Sequence, residues 1–443
     1  MLTLHHEFAA DKHLSGRAGA SLDITRATEG SYVDKAGVLQ TAATGVARFD
    51  HDPVTHESVG LLVEEARTNI CWQSENLRTT WSGINVRDNV DTVNVAVAPD
   101  GATTADRIID DSATGSDVVG YGQNITFATT TPYTYSVFLK AEQLDWAFIE
   151  VINLTSLTIN KYFDLGNGVE GGAEGADVDS TFIEDFGNGW YRCGITFTTA
   201  ADTSGTVRLF AATSNGVAAV DRDGTSSILF WGAQVEAGAF PTSYIPTVAA
   251  SVTRNADVVN TTDVSWFNAA GGTLYATYIP GDVTVTDHRI LSLDGGADDR
   301  VVDLVMGGTA GFIQSFSSNG VNIQSGGAVH TKGATSMAAI GFIEDDYALY
   351  HDGAQIGTDT DTTAVPTPTT FRVGSQYAGG GQTNGHIKEL RYYNERLPND
   401  VLEAMSLGTF PPNAPFYIAV TRRTFNGPPK KAIYPKPTRG LFR

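Results

Sequence analysis

From Ser74 to Gly408 the apolar residues come in short runs of β-branched and aromatic side chains, with turn formers recurring between them. Runs of that length and composition suit strands rather than helices. Examples are Tyr133–Lys140, Trp146–Ile152, Trp190–Phe197, Val207–Ala212 and Ile228–Glu236, followed by Thr273–Ile279, Arg289–Leu293, Val301–Met306, Phe312–Phe316, Ala338–Ile343, Tyr347–Tyr350, Phe371–Gly374 and Ile387–Tyr393. Several are apolar on both parities, as expected of strands buried on one face and partly covered on the other. Asp352-Gly353 supplies the positive φ of a type I′ hairpin turn. One short helix is expected at Asp400–Leu407, with Asn399 or Asp400 as its cap and Gly408 as its stop. The fold class is therefore all-β, with two sandwiches: a jelly roll over 73–250 and a second over 272–408, joined by a linker at 251–271. Residues 1–72 show little sustained period and read as an extended N-terminal docking arm. Its pieces include two short strands around a Gly turn in Arg26–Gln40 and a Pro-anchored turn at Arg48–Thr55.

Charge separates the last segment from all of this. The chain sums to −21. Residues 409–443 are a Pro-rich tail with basic residues and no acidic one, and the +7 carried after Gly408 leaves −28 on the rest. Prolines remove backbone donors and fix φ, so neither a helix nor a central strand is expected there. Arg422, Arg423, Lys430, Lys431, Lys436, Arg439 and Phe442 are the candidate partner-binding residues of a basic strap, held by an acidic neighbour or another copy of the acidic body. An acidic body argues against nucleic acid as a partner. No apolar run is long enough to span a bilayer. Cys71 and Cys193 make no disulfide framework, and Cys193 alternates into a strand as a core residue.

Catalytic signals are weak. Neighbouring carboxylates occur at Glu64-Glu65, Asp110-Asp111, Asp298-Asp299 and Glu344-Asp345-Asp346. Adjacent residues on a strand point to opposite faces, which is the wrong arrangement for a glycosidase pair. No nucleophile elbow or zinc helix is present, and the histidines lack metal-ligand spacing, so the expectation is a non-enzyme without cofactor. Asp294–Asp299 and Asp221–Gly224 contain enough oxygens for calcium, but the same pattern describes ordinary turns. For glycan binding, exposed aromatics beside amides are needed. Tyr121, Tyr133 and Trp146 are the candidates in the first sandwich, and Tyr377 with Gln382 and Asn384 in the second. Trp190 and Trp231 lie inside strand motifs and belong to the core.

The ordered run Arg26-Ala27-Thr28, Tyr32-Val33-Asp34, Gly37, Arg48-Phe49-Asp50-His51-Asp52-Pro53 and Gly60 through Asn69 resembles a segment of tailed-bacteriophage structural proteins of the head spike, head fibre and tail fibre kind. Gly187–Arg192 and Trp231–Glu236 with Pro241–Thr247 are similar to the closing strands of carbohydrate-binding-module-like jelly rolls. Tyr347–Gly353 with Gly385–Asn394 is similar to the concanavalin A-like (laminin G-like) sandwich. The resemblance implies a virion component, assembled in the host bacterial cytoplasm and displayed as a closed oligomer, a trimer for a fibre or spike. Its partners would be other virion proteins or copies of itself. The competing expectation is an adhesin for host-surface polysaccharide.

Overall fold

The computed structural model describes residues 1–410 apart from 88, 156, 282–287, 296–299, 307–312, 317–321, 325–330, 361–364, 366 and 378–379. The basic strap of the sequence reading, with Arg422, Arg423, Lys430, Lys431, Lys436, Arg439 and Phe442, lies outside the described residues.

The chain is all-β, as its periodicity requires, and forms two antiparallel sandwiches. In the first, one sheet runs in the order Ser180–Asp185, Trp190–Thr198, Pro132–Ala141, Ser227–Ala237, Thr103–Ile109, Ala96–Val97. The facing sheet runs Val169–Glu174, Ile159–Asp164, Trp146–Ile152, Ser204–Ala212, Ser116–Thr126, Ala219–Asp221, with Ser82–Ile84 added beside Ser116–Thr126. Alternate residues of both sheets meet between them: Tyr135, Val137 and Phe230 from one, Ile149, Leu209 and Phe163 from the other, all fully buried. Cys71 and Cys193 are buried free thiols in this core. Trp190 and Trp231 are also buried, their indole N–H groups donating to Val97 O and Thr104 Oγ1.

The second sandwich differs from the sequence reading in its membership. Residues 1–72 are not a free arm, because their strands complete its sheets. Leu2–His6 and Ser58–Val63 both pair with Gly385–Tyr393, and Asp23–Thr25 pairs with Val258–Thr261. The expected linker is likewise structured: Val258–Thr261 pairs with Thr370–Val373, and Val252–Arg254 pairs with Arg67–Asn69. Strands of three to six residues carry too little periodicity to be read alone, and gain their hydrogen bonds only by docking on a longer neighbour. The Asp352-Gly353 turn forms as expected, with φ of 44° and 82°. The short helix spans Asn399–Ser406, but its cap position is Pro398 and no side chain caps it; Asn399 instead accepts a hydrogen bond from Arg396. Proline's fixed φ suits the helix entrance without a side-chain acceptor.

A buried ionic network welds the N-terminal strands to the junction of the two sandwiches. Arg26, Arg48 and Arg254 are all buried, as are Glu64 and Asp257. Asp257 accepts from Arg26 at 2.8 Å and from Arg48, and its second oxygen also takes the Glu64 N–H at 3.0 Å. Glu64 meets Arg48 at 2.7 Å and Arg254 at 3.5 Å. Glu64 also accepts both the N–H and the hydroxyl of Ser243 in the first sandwich. Three guanidiniums face two carboxylates, and main-chain carbonyls take some of the other donors: Arg26 reaches Ala43 O and Val46 O, and Arg48 reaches Ser31 O. Arg48 Nε and the Arg254 Nε and Nη2 have no hydrogen-bond partner among the described residues. Gly30 is the residue against which the three arginines stack. A Cβ there would stand 3.1–3.3 Å from all of them.

Burial by itself would raise the Glu64 carboxyl, but the Arg254 and Arg48 charges and the Ser243 hydrogen bonds outweigh it and hold the group well below its ordinary value. A depressed carboxyl contributes stability that is complete above its unfolded pKa, about 4.3, and is lost as pH falls toward the folded value. Stability of the folded chain should therefore drop below about pH 4, with a shallower acid limb in Glu64→Gln; equal slopes in a pH series of urea melts would contradict this. Asp257→Ala leaves Arg26 and Arg48 buried without their shared carboxylate. It should cost about 3–5 kcal/mol by chemical denaturation, and a loss under about 1 kcal/mol would show that the network is dispensable.

Candidate functional site

The network passes directly into the segment that builds the most ligand-like surface. Asn69 is buried, and its amide donates to Ala233 O and Ile245 O while accepting from Cys71 N and Val235 N. Two residues further, Cys71 turns into the core and Trp72 turns out, with 47% of its surface exposed. The main chain around Trp72 is stitched on both sides. Gln73 N donates to Val248 O, and the Thr247 hydroxyl donates to Cys71 O. Gln123, buried on the strand Ser116–Thr126, clamps Trp72 from across the gap: its Oε1 accepts the Trp72 N–H at 2.8 Å and its Nε2 donates to Trp72 O at 2.8 Å. The same Nε2 reaches Thr80 Oγ1 at 2.9 Å. The backbone of Trp72 is thus fixed while its ring is not covered, and its indole N–H makes no hydrogen bond among the described residues.

This ring stands in a groove of about 540 Å³ along the part of Ser116–Thr126 that lies beyond its pairing with Ser82–Ile84. Asn124, Thr126, Ser82 and Ser251 supply exposed amide and hydroxyl groups around it. Asn124 accepts from the Thr206 hydroxyl through Oδ1, which orients its amide. Beside the groove, Val248 and Val252 are 68% and 40% exposed and extend the apolar surface. An uncovered, rigidly mounted aromatic with polar groups at its margin is the arrangement that binds small ligands by stacking plus directed hydrogen bonds.

A second cavity, about 390 Å³, sits where the N-terminal strands meet both sandwiches. Some of its polar groups serve one another, while His51 Nε2 and Arg192 Nε have no hydrogen-bond partner among the described residues. Asp50 accepts from Val33 N, His51 N and His386, and Arg192 donates to Thr242 O and Ser136.

The sequence-predicted aromatics fare unevenly. Tyr121 and Tyr133 are buried in the first core; the Tyr133 hydroxyl accepts from Ala128 N and its ring meets Phe127 edge-on at 4.9 Å. Neither can contact a sugar. Trp146 is half-buried at the margin of an outer-face cluster with Phe148, Tyr162 and Phe210, so its ring packs rather than protrudes. Tyr377 is 39% exposed, with the Arg372 guanidinium 5.6 Å from its ring centre. Its expected companions face inward: Gln382 is buried, and Asn384 exchanges two hydrogen bonds with Glu65. Trp72 was missed because it falls at the seam between the two regions. Its one signal is phase, an aromatic out of step with the core residue Cys71 before it.

Several of the neighbouring carboxylates are occupied structurally, while Asp298-Asp299 lies outside the described residues. Glu65 binds Arg67 and Asn384, Asp110 accepts three main-chain N–H groups, and Asp111 pairs with Arg222. The Asp221–Gly224 loop is a turn in which Asp223 accepts from Thr225. Asp294 is buried against Arg372, and the remainder of Asp294–Asp299 that would complete a calcium loop lies largely outside the described residues. His5, Glu7 and Glu389 approach one another near the N-terminus, but Arg17 and Arg391 already neutralise the two glutamates.

No protein-family profile matches the chain, and no curated protein matches it. Solved structures that resemble it include the CBM40 of the Ruminococcus gnavus IT-sialidase, 17% identical over 31% of this chain and 84% of that one, with a TM-score of 0.28. Domain 4 of AbnA, a GH43 extracellular arabinanase from Geobacillus stearothermophilus in complex with arabinotriose, is 13% identical over 38% of this chain and 82% of that one, also at 0.28. A leech intramolecular trans-sialidase is 13% identical over 32% of this chain and 24% of its own, again at 0.28.

Because its ring is exposed and its main chain is held by other residues, Trp72→Ala should leave stability within about 0.5 kcal/mol of the parent. Gln123→Ala uncovers the buried donor and acceptor of Trp72 and should cost about 1–3 kcal/mol. Urea melts that reversed this order would show that Trp72 is a packing residue.

Proposed function

We propose that the protein is a carbohydrate-binding protein that holds a saccharide on the Trp72 face of its first sandwich. The observation that carries this reading is the exposed indole on a clamped backbone, beside Asn124, Thr126, Ser82 and Ser251. A pyranose offers an apolar C–H face to stack on such a ring and hydroxyls to its edge, so the aromatic supplies area and the amide and hydroxyl groups supply orientation. The reading is of a binder and not an enzyme, and it is supported by Glu64, Glu65, Asp110 and Asp111, whose carboxylates are held by arginines and main-chain donors. Isothermal titration of the full chain against saccharides selected from a glycan array should lose about tenfold or more in affinity on Trp72→Ala, equivalent to about 1.4 kcal/mol. Binding that is indifferent to Trp72 would move the site elsewhere.

A second reading, that the protein is displayed on a bacteriophage particle, is favoured by one observation. The residues that carry the phage resemblance, Arg26, Arg48 and Glu64 among them, are those that build the buried network. A likeness in those positions is a likeness in how the N-terminal strands are welded to the sandwiches, and it supports common architecture with such proteins. Particles lacking this protein should then recover it on co-sedimentation with the full chain. Failure of the folded full chain to bind them would remove the reading.

A further inference from the structure

We infer that the Trp72 groove selects neutral saccharides and rejects sialylated, uronate-containing and other anionic glycans. The inference rests on the proposed function and narrows it to a ligand class. Every residue lining the groove among those described is uncharged: aromatic and aliphatic at the floor, hydroxyl and amide at the margin. A carboxylate- or sulfate-bearing sugar is normally gripped by a guanidinium or ammonium donor, whose charge-assisted hydrogen bonds replace the water the anion gives up. None is offered here. The arginine on the same outer face, Arg208, is paired with Glu150 at 3.1 Å and lies over the Phe210 ring, so its charge is already matched.

The field of the whole body points the same way. The residues preceding the basic tail sum to −28, so an anionic polymer approaches against a repulsive potential, whereas a neutral one does not. The free hydrogen-bonding groups around the ring also fit hydroxyls better than anions. Asn124 keeps its NH₂ available because its carbonyl already accepts from Thr206, and the serine and threonine hydroxyls both donate and accept. A neutral sugar ring that stacks on Trp72 satisfies these groups without placing a charge in contact with the exposed Val248 and Val252 surface.

The test is a glycan array probed with the full chain and with Trp72→Ala and Asn124→Ala, at low and at high salt. It should carry neutral glucans, galactans, mannans and N-acetylhexosamine polymers beside sialylated, uronate and sulfated ones. The expected result is binding confined to neutral glycans, weakened about tenfold or more by Trp72→Ala and unchanged by salt, because no charge pair contributes. Trp72-dependent, salt-sensitive binding of anionic glycans would overturn the neutral-ligand inference while leaving the carbohydrate-binding reading intact. Absence of binding to every glycan, or neutral binding indifferent to Trp72, would overturn both.

Discussion

The cluster of Arg26, Arg48, Arg254, Glu64 and Asp257 is the constraint on which the rest of the structure depends. It gathers side chains from the N-terminal strands and from the segment between the sandwiches, with Ser243 of the first sandwich as an additional donor. Buried charges of this kind do not add much net stability, since desolvation cancels most of the attraction. What they add is intolerance of alternatives: any arrangement that separates the partners strands a charge in the interior. The network therefore fixes where the short N-terminal strands go. Strands of three to six residues could slip in register if only apolar contacts held them.

The same cluster connects fold to site. Glu64 begins a run in which each residue is committed to a different neighbour. Glu65 goes to Asn384, and Arg67 lies over the Phe240 ring 4.6 Å away. Arg67 also fills the space above Gly238, where φ is +138° and a Cβ would collide with the guanidinium. Asn69 then bonds four main-chain groups of the first sandwich, and Trp72 follows, clamped by Gln123. An aromatic at the end of such a run costs little further ordering when it meets a ligand, because its backbone is already fixed.

Much of the fold was legible from residue patterns, and the reasons for success and failure are physical. Trp146–Ile152 and Trp190–Phe197 announce themselves because they are runs rich in aromatic and β-branched residues beside turn formers, Asp145 and Asn153 around the first and Gly187-Asn188-Gly189 before the second. Among the N-terminal strands, the hairpin of Gly30–Val33 and Leu39–Ala42 was legible around its Gly turn. Leu2–His6 and Asp23–Thr25 were not, since they are three to five residues long and pair with strands hundreds of residues away, Gly385–Tyr393 and Val258–Thr261. Arg26, Arg48 and Glu64 were visible as a recurrent motif, but their common acceptor Asp257 lies 231 residues from Arg26, and nothing local pairs them. For the site, composition misled: Tyr121 and Tyr133 sit in strands where an aromatic has two faces to choose from, and both turned inward. Trp72 was hidden by its place at a seam, where neither sandwich's periodicity applies.

The most direct test of the carbohydrate site is a fluorescence titration, because Trp72 is more exposed than Trp81, Trp190, Trp231 and Trp266, all of which are buried. A neutral oligosaccharide stacked on its ring should shift the tryptophan emission to shorter wavelength and protect it from acrylamide. Both changes should vanish in Trp72→Phe. Saccharide binding that leaves emission and quenching of the parent protein unchanged would contradict the account.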